Sequence, residues 1–183
     1  CDSAQPQLVA AENNVFGCGY NSDMTEQAPN AHLTAAIWHW DVYYQAAIET
    51  AMTCGGAENF VTEMGGNAYY AGLSEGFVDA STLNELVAAP GTAAAMEAVR
   101  ELIDSGEWDV FSGTKLHITV DAEAGTAAVE QVDAPLMSDG YELKDGEVVE
   151  MANPEIVPAG GASVTDDVIK SGMNYNVAGV VEG

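Results

Sequence analysis

The hydrophobic positions of this chain change period along its length, and each change marks an element. From about Gln5 to Asn13, Ala4, Leu8, Val9 and Ala11 line one side of a predicted helix, and Val15 to Tyr20 follows as a short apolar strand. Leu33 to Trp38 is a second strand. From Asp41 to Met52 the positions Val42, Tyr43, Ala46, Ala47, Ile48 and Ala51 recur at helical spacing, and Gly55-Gly56 end the run. Residues 67–72 and 76–79 read as a strand and turn region around Leu73-Ser74-Glu75-Gly76. A strong helix is predicted from Thr92 to Ser105 through Ala95, Met96, Val99, Leu102 and Ile103, stopped at Gly106.

Beyond Trp108 the pattern weakens. Val110-Phe111 and Leu116 to Val120 read as strands, whereas residues 121–158 are acidic, rich in Gly and Ala and weakly periodic, with a hairpin signature at Glu142-Leu143-Lys144-Asp145-Gly146-Glu147. Thr165-Asp166-Asp167 predicts a helix start and residues 173–181 a last extended segment. Strands alternating with helices predict an α/β fold whose parallel sheet is covered on both faces. The organisation expected is an α/β core over residues 1–112, an acidic insertion or elaborated loop with a β hairpin over 113–160, and a C-terminal return segment over 161–183. Asp2-Ser3 reads as the loop after a strand that lies before Cys1, so the front of the fold is expected to be missing.

Composition narrows the partners. Of 183 residues 48% are hydrophobic, ample for a core, and no apolar run approaches the ~18–20 residues of a membrane span. Acidic residues number 29 against 4 basic ones, a formal net charge of -25. Such a surface repels phosphate backbones and anionic lipid, so no nucleic acid partner is expected. The excess reads as a solvated surface.

Specific chemistry is sparse. Three cysteines, Cys1, Cys18 and Cys54, have no metal-ligand spacing, and an odd count does not make a disulfide framework. Cys18, between two glycines of an apolar strand, is expected to be buried. Cys1 reads as a lipidated first residue or as a fragment boundary. His32, His39 and His117 form no metal pair, no twelve-residue calcium loop occurs, and neither a nucleophile elbow nor a phosphate loop is present. No metal or cofactor is expected.

Several segments together resemble a known family. Gly19-Tyr20-Asn21-Ser22-Asp23-Met24, Ala28-Pro29, His32-Leu33-Thr34, Ile37-Trp38-His39-Trp40, Tyr43-Tyr44, Gly72-Leu73-Ser74-Glu75-Gly76-Phe77-Val78-Asp79, Ile103-Asp104-Ser105-Gly106-Glu107 with Val110-Phe111, and the closing Ser171-Gly172-Met173-Asn174-Tyr175-Asn176-Val177-Ala178-Gly179-Val180 stand in this order. The series is similar to the C-terminal half of the basic membrane protein family, the purine nucleoside receptor A-like substrate-binding lipoproteins of bacterial ABC importers. The resemblance implies a two-lobed, type I periplasmic-binding-protein-like fold that clamps a purine nucleoside or base and delivers it to a membrane permease. It also implies an extracytoplasmic monomer anchored through a lipidated N-terminus upstream of this sequence.

A purine offers flat apolar faces and polar edges, so its receptor needs aromatic rings and hydrogen-bonding side chains. Tyr20, Trp38 and Trp40 can supply faces; Asn21, Asp23, Asp41 and Glu75, with Gly72 beside the last, can meet edges and ribose hydroxyls. In a continuous strand Trp38 and Trp40 face one way and His39 the other, so that one tryptophan packs in the core and one meets ligand. Asp23 serves equally as a turn cap, and Glu75 as a solvated turn carboxylate. Two other readings remain: a nucleoside hydrolase pairing Asp23 with Glu75, and a surface sensor lipoprotein without transport.

Overall fold

A computed structural model describes residues 3–179. Cys1, Asp2 and the end of the last extended segment, from Val180 onward, lie outside the described residues. The chain divides into two compact units, Cys1–Ala93 and Ala94–Gly183. Each is mixed in its secondary structure, and the chain as a whole is α/β with several sheets and helices.

The first unit contains α1 (Gln5–Glu12), β1 (Gly17–Asn21), β2 (His32–Trp38), α2 (Trp40–Thr53), α3 (Ala57–Glu63) and β3 (Val78–Ala80). Its sheet runs in the order β1-β2-β3, with β1 parallel and β3 antiparallel to β2. Past β3 the chain keeps to the same edge: the Ser81 amide donates to the Ala35 carbonyl (2.8 Å), the Ala35 amide to Ser81 Oγ (2.9 Å), and the Asn84 amide to the Leu33 carbonyl (2.8 Å). The buried core is small, built from Met24, Ala28, Ala31, Ala35 and Phe77 around the polar Gln7, His32, Ser81 and Asn84.

Several expectations are corrected here. The buried residue of α1 is Gln7, not the side of Ala4, Leu8, Val9 and Ala11, because β1 presents glycine to it: a Cβ at Gly17 would stand 2.7 Å from Gln7 Oε1. Since Gly17 and Gly19 turn inward, period two turns Cys18 outward, and it is exposed. Residues 67–72 form no strand, and α3 occupies a stretch for which no helix was expected. A left-handed Gly55 (φ 74°) separates α3 from α2, an ordinary use of glycine at a helix end.

The second unit takes in most of α4 (Thr92–Asp104), then β4 (Thr114–Asp121), β5 (Thr126–Asp133), β6 (Leu136–Lys144), β7 (Glu147–Glu150), β8 (Glu155–Val157), α5 (Asp166–Ser171) and β9 (Tyr175–Val177). β4 and β5 form a two-stranded hairpin, while β7, β8 and β9 all pair antiparallel with β6. The parallel sheet covered on both faces is therefore corrected: among the described strands only β1 and β2 run parallel. Val110-Phe111 is a turn rather than a strand. Much of the acidic 121–158 stretch is strand, hidden from periodicity because each face of β5 mixes apolar and polar residues, Thr126, Ala128, Glu130 and Val132 on one and Ala127, Val129, Gln131 and Asp133 on the other. The hairpin signature is realised by β6 and β7, whose link Asp145-Gly146 has φ of 52° and 83°, the two positive values that a tight hairpin turn demands.

Gly113 ties this unit together. Its amide donates to the Gly161 carbonyl (2.9 Å), and its own carbonyl accepts from Gly160 (2.7 Å) and Ala134 (3.0 Å). A Cβ there would overlap the Pro158 carbonyl oxygen, which is backbone and cannot rotate away. Gly113→Ala should therefore destabilise the second unit by about 1–3 kcal/mol or more. Gly125→Ala, with φ 67° and open space around it, should cost only the ~1–2 kcal/mol of left-handed backbone. Chemical denaturation of the two variants side by side measures the difference.

Candidate functional site

Because β1 and β2 run parallel, both end at the same edge of the sheet, with Asn21 beside Ile37 in the ladder. Open sheets with parallel strands bind ligands at that edge. Aromatic residues gather there. Trp38, the last residue of β2, has ring centroids 6.2 Å from Tyr20, 6.0 Å from Trp40 and 5.5 Å from Phe77. Phe77 also meets Trp40 at 5.5 Å and Tyr69 at 5.2 Å, and Tyr43 joins Trp40 (6.5 Å), Tyr44 (5.5 Å) and Tyr69 (5.2 Å). Most of the pairs are edge-to-face or tilted, the geometries that ring quadrupoles favour.

The tryptophans arrive by a different route from the one the strand pattern implies. β2 stops at Trp38, His39 is the N-cap of α2, and Trp40 is the first residue of that helix. Strand alternation therefore does not set the relative direction of Trp38 and Trp40, and their rings lie side by side at 33° between planes. The His39 amide donates to the Phe77 carbonyl (2.8 Å), fixing the strand end to the start of β3. Phe77 is 5% exposed and centres the cluster, whereas Tyr20 at 44% and Trp40 at 49% offer ring surface to solvent.

The polar candidates sort into two groups. Asn21 ends β1 with φ 76°, a left-handed conformation uncommon for a side-chain-bearing residue, and is exposed. Asp41 lies in the first turn of α2, next to Trp40, where no side chain caps the helix. Gly72 and Glu75 form the turn beneath the rings. Glu75 Oε2 accepts from the Gly72 amide (2.6 Å) and Oε1 from Ser74 Oγ (2.8 Å), while the Gly72 carbonyl accepts from the Phe77 amide (3.1 Å). Glu75 thus seats Phe77.

Asp23 stands in another setting. Its Oδ1 accepts from the Thr25 hydroxyl (2.6 Å) and amide (2.8 Å), and lies 3.5 Å from His32 Nε2. It borders a cleft of about 690 Å³ shared with Thr25 and residues Thr82 to Leu86, including Glu85. The Thr25 hydroxyl, then the Thr25 amide, hold its carboxyl below the ordinary range against partial desolvation, with a smaller contribution from His32. Asp23 and Glu75 each secure a different turn. Among the described residues no group of three or more His, Cys, Asp or Glu side chains could hold a metal ion.

Three ring positions carry the cluster without having been singled out as site residues. Phe77 and Tyr43 belong to the quoted segments but read there only as part of a motif and as a helical apolar position. Tyr69 lies in residues 67–72, which were expected to be part of a strand and turn region and are irregular.

Phe77→Ala should cost roughly 3–5 kcal/mol, the usual cost of emptying a buried aromatic position. Trp40→Ala should cost less than half of that because its ring is half in water; near-UV circular dichroism with denaturant melts reads both. Asp23 carries a separate expectation. Its lowered folded value means stability present above the unfolded carboxyl value of ~3.9 and lost as pH falls through the folded one. Asp23→Asn should then weaken the fold at neutral pH by at most roughly 1 kcal/mol, given the half-exposed carboxylate, and the difference from wild type should vanish in acid. Urea melts at about pH 7 and at pH values lowered stepwise below about 3.9 test it.

No protein-family model and no curated protein matches the chain, so its function is read from these residues.

Proposed function

We propose that the aromatic end of the first unit binds a flat heteroaromatic ligand, a purine nucleoside or base. On this reading the chain belongs to the extracytoplasmic substrate-binding component of a bacterial ABC importer. Such a protein has the two-lobed, type I periplasmic-binding-protein architecture, closes its lobes round the ligand and hands it to a membrane permease. The observation that carries the ligand class is the ring cluster, with Tyr20 and Trp40 half-exposed at the shared end of a parallel strand pair.

The chemistry of the rim supports the same ligand. Asn21 presents both donor and acceptor atoms and Asp41 acceptors, the complement of a purine edge or a ribose diol. Glu75, bonded to the Gly72 amide, secures the turn that leads to Phe77, and Asp23 secures the turn at Thr25 that follows β1. No helix of the described residues is long and apolar enough to cross a membrane; on this reading, attachment is through a lipidated residue upstream of Cys1.

Stacking a base on an aromatic ring is worth about 1–3 kcal/mol, so Trp40→Ala should weaken a purine ligand by about 5-fold to 150-fold. The test is a thermal-shift screen followed by calorimetry with purine nucleosides, purine bases, pyrimidine nucleosides and free sugars. A rise in melting temperature confined to purine compounds, and lost in folded Trp40→Ala, is the expected result. Equal shifts with sugars and pyrimidines, or none with any compound, would overturn it.

A further inference from the structure

β4 and β5 form an uninterrupted ladder from the Thr114–Asp133 pair to the Asp121–Thr126 pair, and no third strand joins it among the described residues. A two-stranded hairpin is marginal in water without a further strand or a covering element. Opposed residues share a face, so the ladder sorts its side chains. Leu116, Ile118 and Val120 lie with Ala127 and Val129 on an apolar face, whereas Lys115, His117, Thr119 and Asp121 lie on the other. Ile118 and Val120 are each 44% exposed.

The base of the hairpin sets the direction of its backbone groups. The Ala134 amide donates to the Gly113 carbonyl (3.0 Å), one residue outside the Thr114–Asp133 pair, so that pair is of the non-hydrogen-bonded kind. Alternation along the ladder then turns the N–H and C=O groups of Thr114, Leu116, Ile118 and Val120 away from β5. The Thr114 carbonyl agrees, since it accepts from Trp108 Nε1 (2.9 Å). From Leu116 to Val120 this outer edge has no proline, glycine or register shift to blunt it.

We propose that this edge pairs with its copy on a second molecule, β4 running antiparallel to the partner's β4 about a two-fold axis at Ile118. The run Lys115-Leu116-His117-Ile118-Thr119-Val120-Asp121 is self-complementary in that register. Ile118 faces the partner's Ile118 and Leu116 the partner's Val120, apolar against apolar, and their outward backbone groups make the bonds. Lys115 faces the partner's Asp121, a pairing of opposite charges that the symmetry repeats. Both stand at non-hydrogen-bonded positions, where facing side chains come closest. An axis at His117 would set that residue against its copy and Asp121 against Gly113. One at Thr119 would draw Ala122 and Glu123, beyond the end of β4, into the ladder.

The opposite edge of the hairpin differs. β5 carries Glu130 and Asp133 and no basic residue, so it has no cation to set against its carboxylates, and assembly stops at two copies. The net charge of -25 on each copy opposes the pairing from a distance. At about 1 M salt, where the screening length is ~3 Å, that repulsion is largely removed while the edge hydrogen bonds remain. The chain is then a dimer favoured by salt, in place of the monomer that the family resemblance implies.

Sedimentation velocity of the whole chain tests the pairing. Expected in about 1 M salt is a reversible dimer that grows in as protein approaches about 1 mM and recedes as salt is withdrawn. Ile118→Pro removes an outward N–H and leaves the β4–β5 bonds in place. With its circular dichroism unchanged, it should weaken the dimer about fivefold to 150-fold, the worth of the two bonds that Ile118 exchanges with its copy. Lys115→Glu, which sets carboxylate against carboxylate, should weaken it about twofold to 30-fold. Cross-linking reads the register. With Cys1, Cys18 and Cys54 replaced by serine, Ile118→Cys should oxidise to a covalent dimer, because facing Cα atoms of such a pair lie ~5.5 Å apart, within disulfide reach. Val120→Cys should not, since it faces the partner's Leu116. A chain monomeric up to about 1 mM in salt, a dimer indifferent to Ile118→Pro, or a cross-link from Val120→Cys in preference to Ile118→Cys would overturn the proposal.

Discussion

The parallel pairing of β1 with β2 is the constraint on which the rest of the first unit depends. Antiparallel strands would have put Asn21 and Trp38 at opposite ends of the sheet; running parallel, they end together. Parallel neighbours ordinarily need a crossover of a dozen residues or more, and the link here is only residues 22–31. So short a link has to be tightly wound. The Met24 carbonyl accepts from both Gln27 and Ala28, and the Ala28 carbonyl from both Ala31 and His32. Met24, Ala28, Ala31 and His32 are the buried residues of that winding, with small side chains where the chain doubles back.

Aromatic rings take over the packing that aliphatic side chains supply in most α/β domains. Leucine, isoleucine and valine contribute no buried residue to the first unit, whereas Phe77 is buried and Trp38, Tyr43 and Tyr69 are half-buried in one connected cluster. The consequence for binding is direct. Rings held by other rings are already oriented, so a flat ligand that stacks on their exposed members has little side-chain freedom to remove, and preorganisation of this kind spares affinity. The same economy ties stability to the site: Phe77 anchors Trp38 and Trp40, and the Glu75 turn anchors Phe77.

The sequence made legible those elements whose hydrophobic period is strong. α2 and α4 lie within a residue or two of the predicted spans, and β1, β2 and the β6–β7 hairpin fall where apolar runs and the Asp145-Gly146 turn placed them. Failures came where residue size, not hydrophobicity, decides. Gly17 and Gly19 direct Gln7 and His32 inward and Cys18 outward, and no hydropathy pattern carries that information. Strand direction was equally hidden: alternation of strands and helices suggested parallel pairing throughout, but β3 returns antiparallel beside β2. Within the site, Tyr20, Trp38 and Trp40 were legible as aromatic residues near strand ends. The break between Trp38 and Trp40 was not, because it depends on where β2 yields to α2.

The charge of the chain bears on the proposed ligand as well as on solubility. A net charge of -25 on 183 residues creates a negative field over the surface. A neutral nucleoside or base approaches that field without penalty, whereas a nucleotide, carrying phosphate, is repelled before it reaches the rings. Ring stacking cannot separate the two, since both carry the same base. On the proposed reading, therefore, the faces of Tyr20 and Trp40 select the ring system, the edges of Asn21 and Asp41 select its hydrogen-bonding pattern, and the acidic surface excludes its phosphorylated forms. That exclusion weakens as salt screens the field, because charges farther apart than ~10 Å at 0.1 M ionic strength scarcely interact.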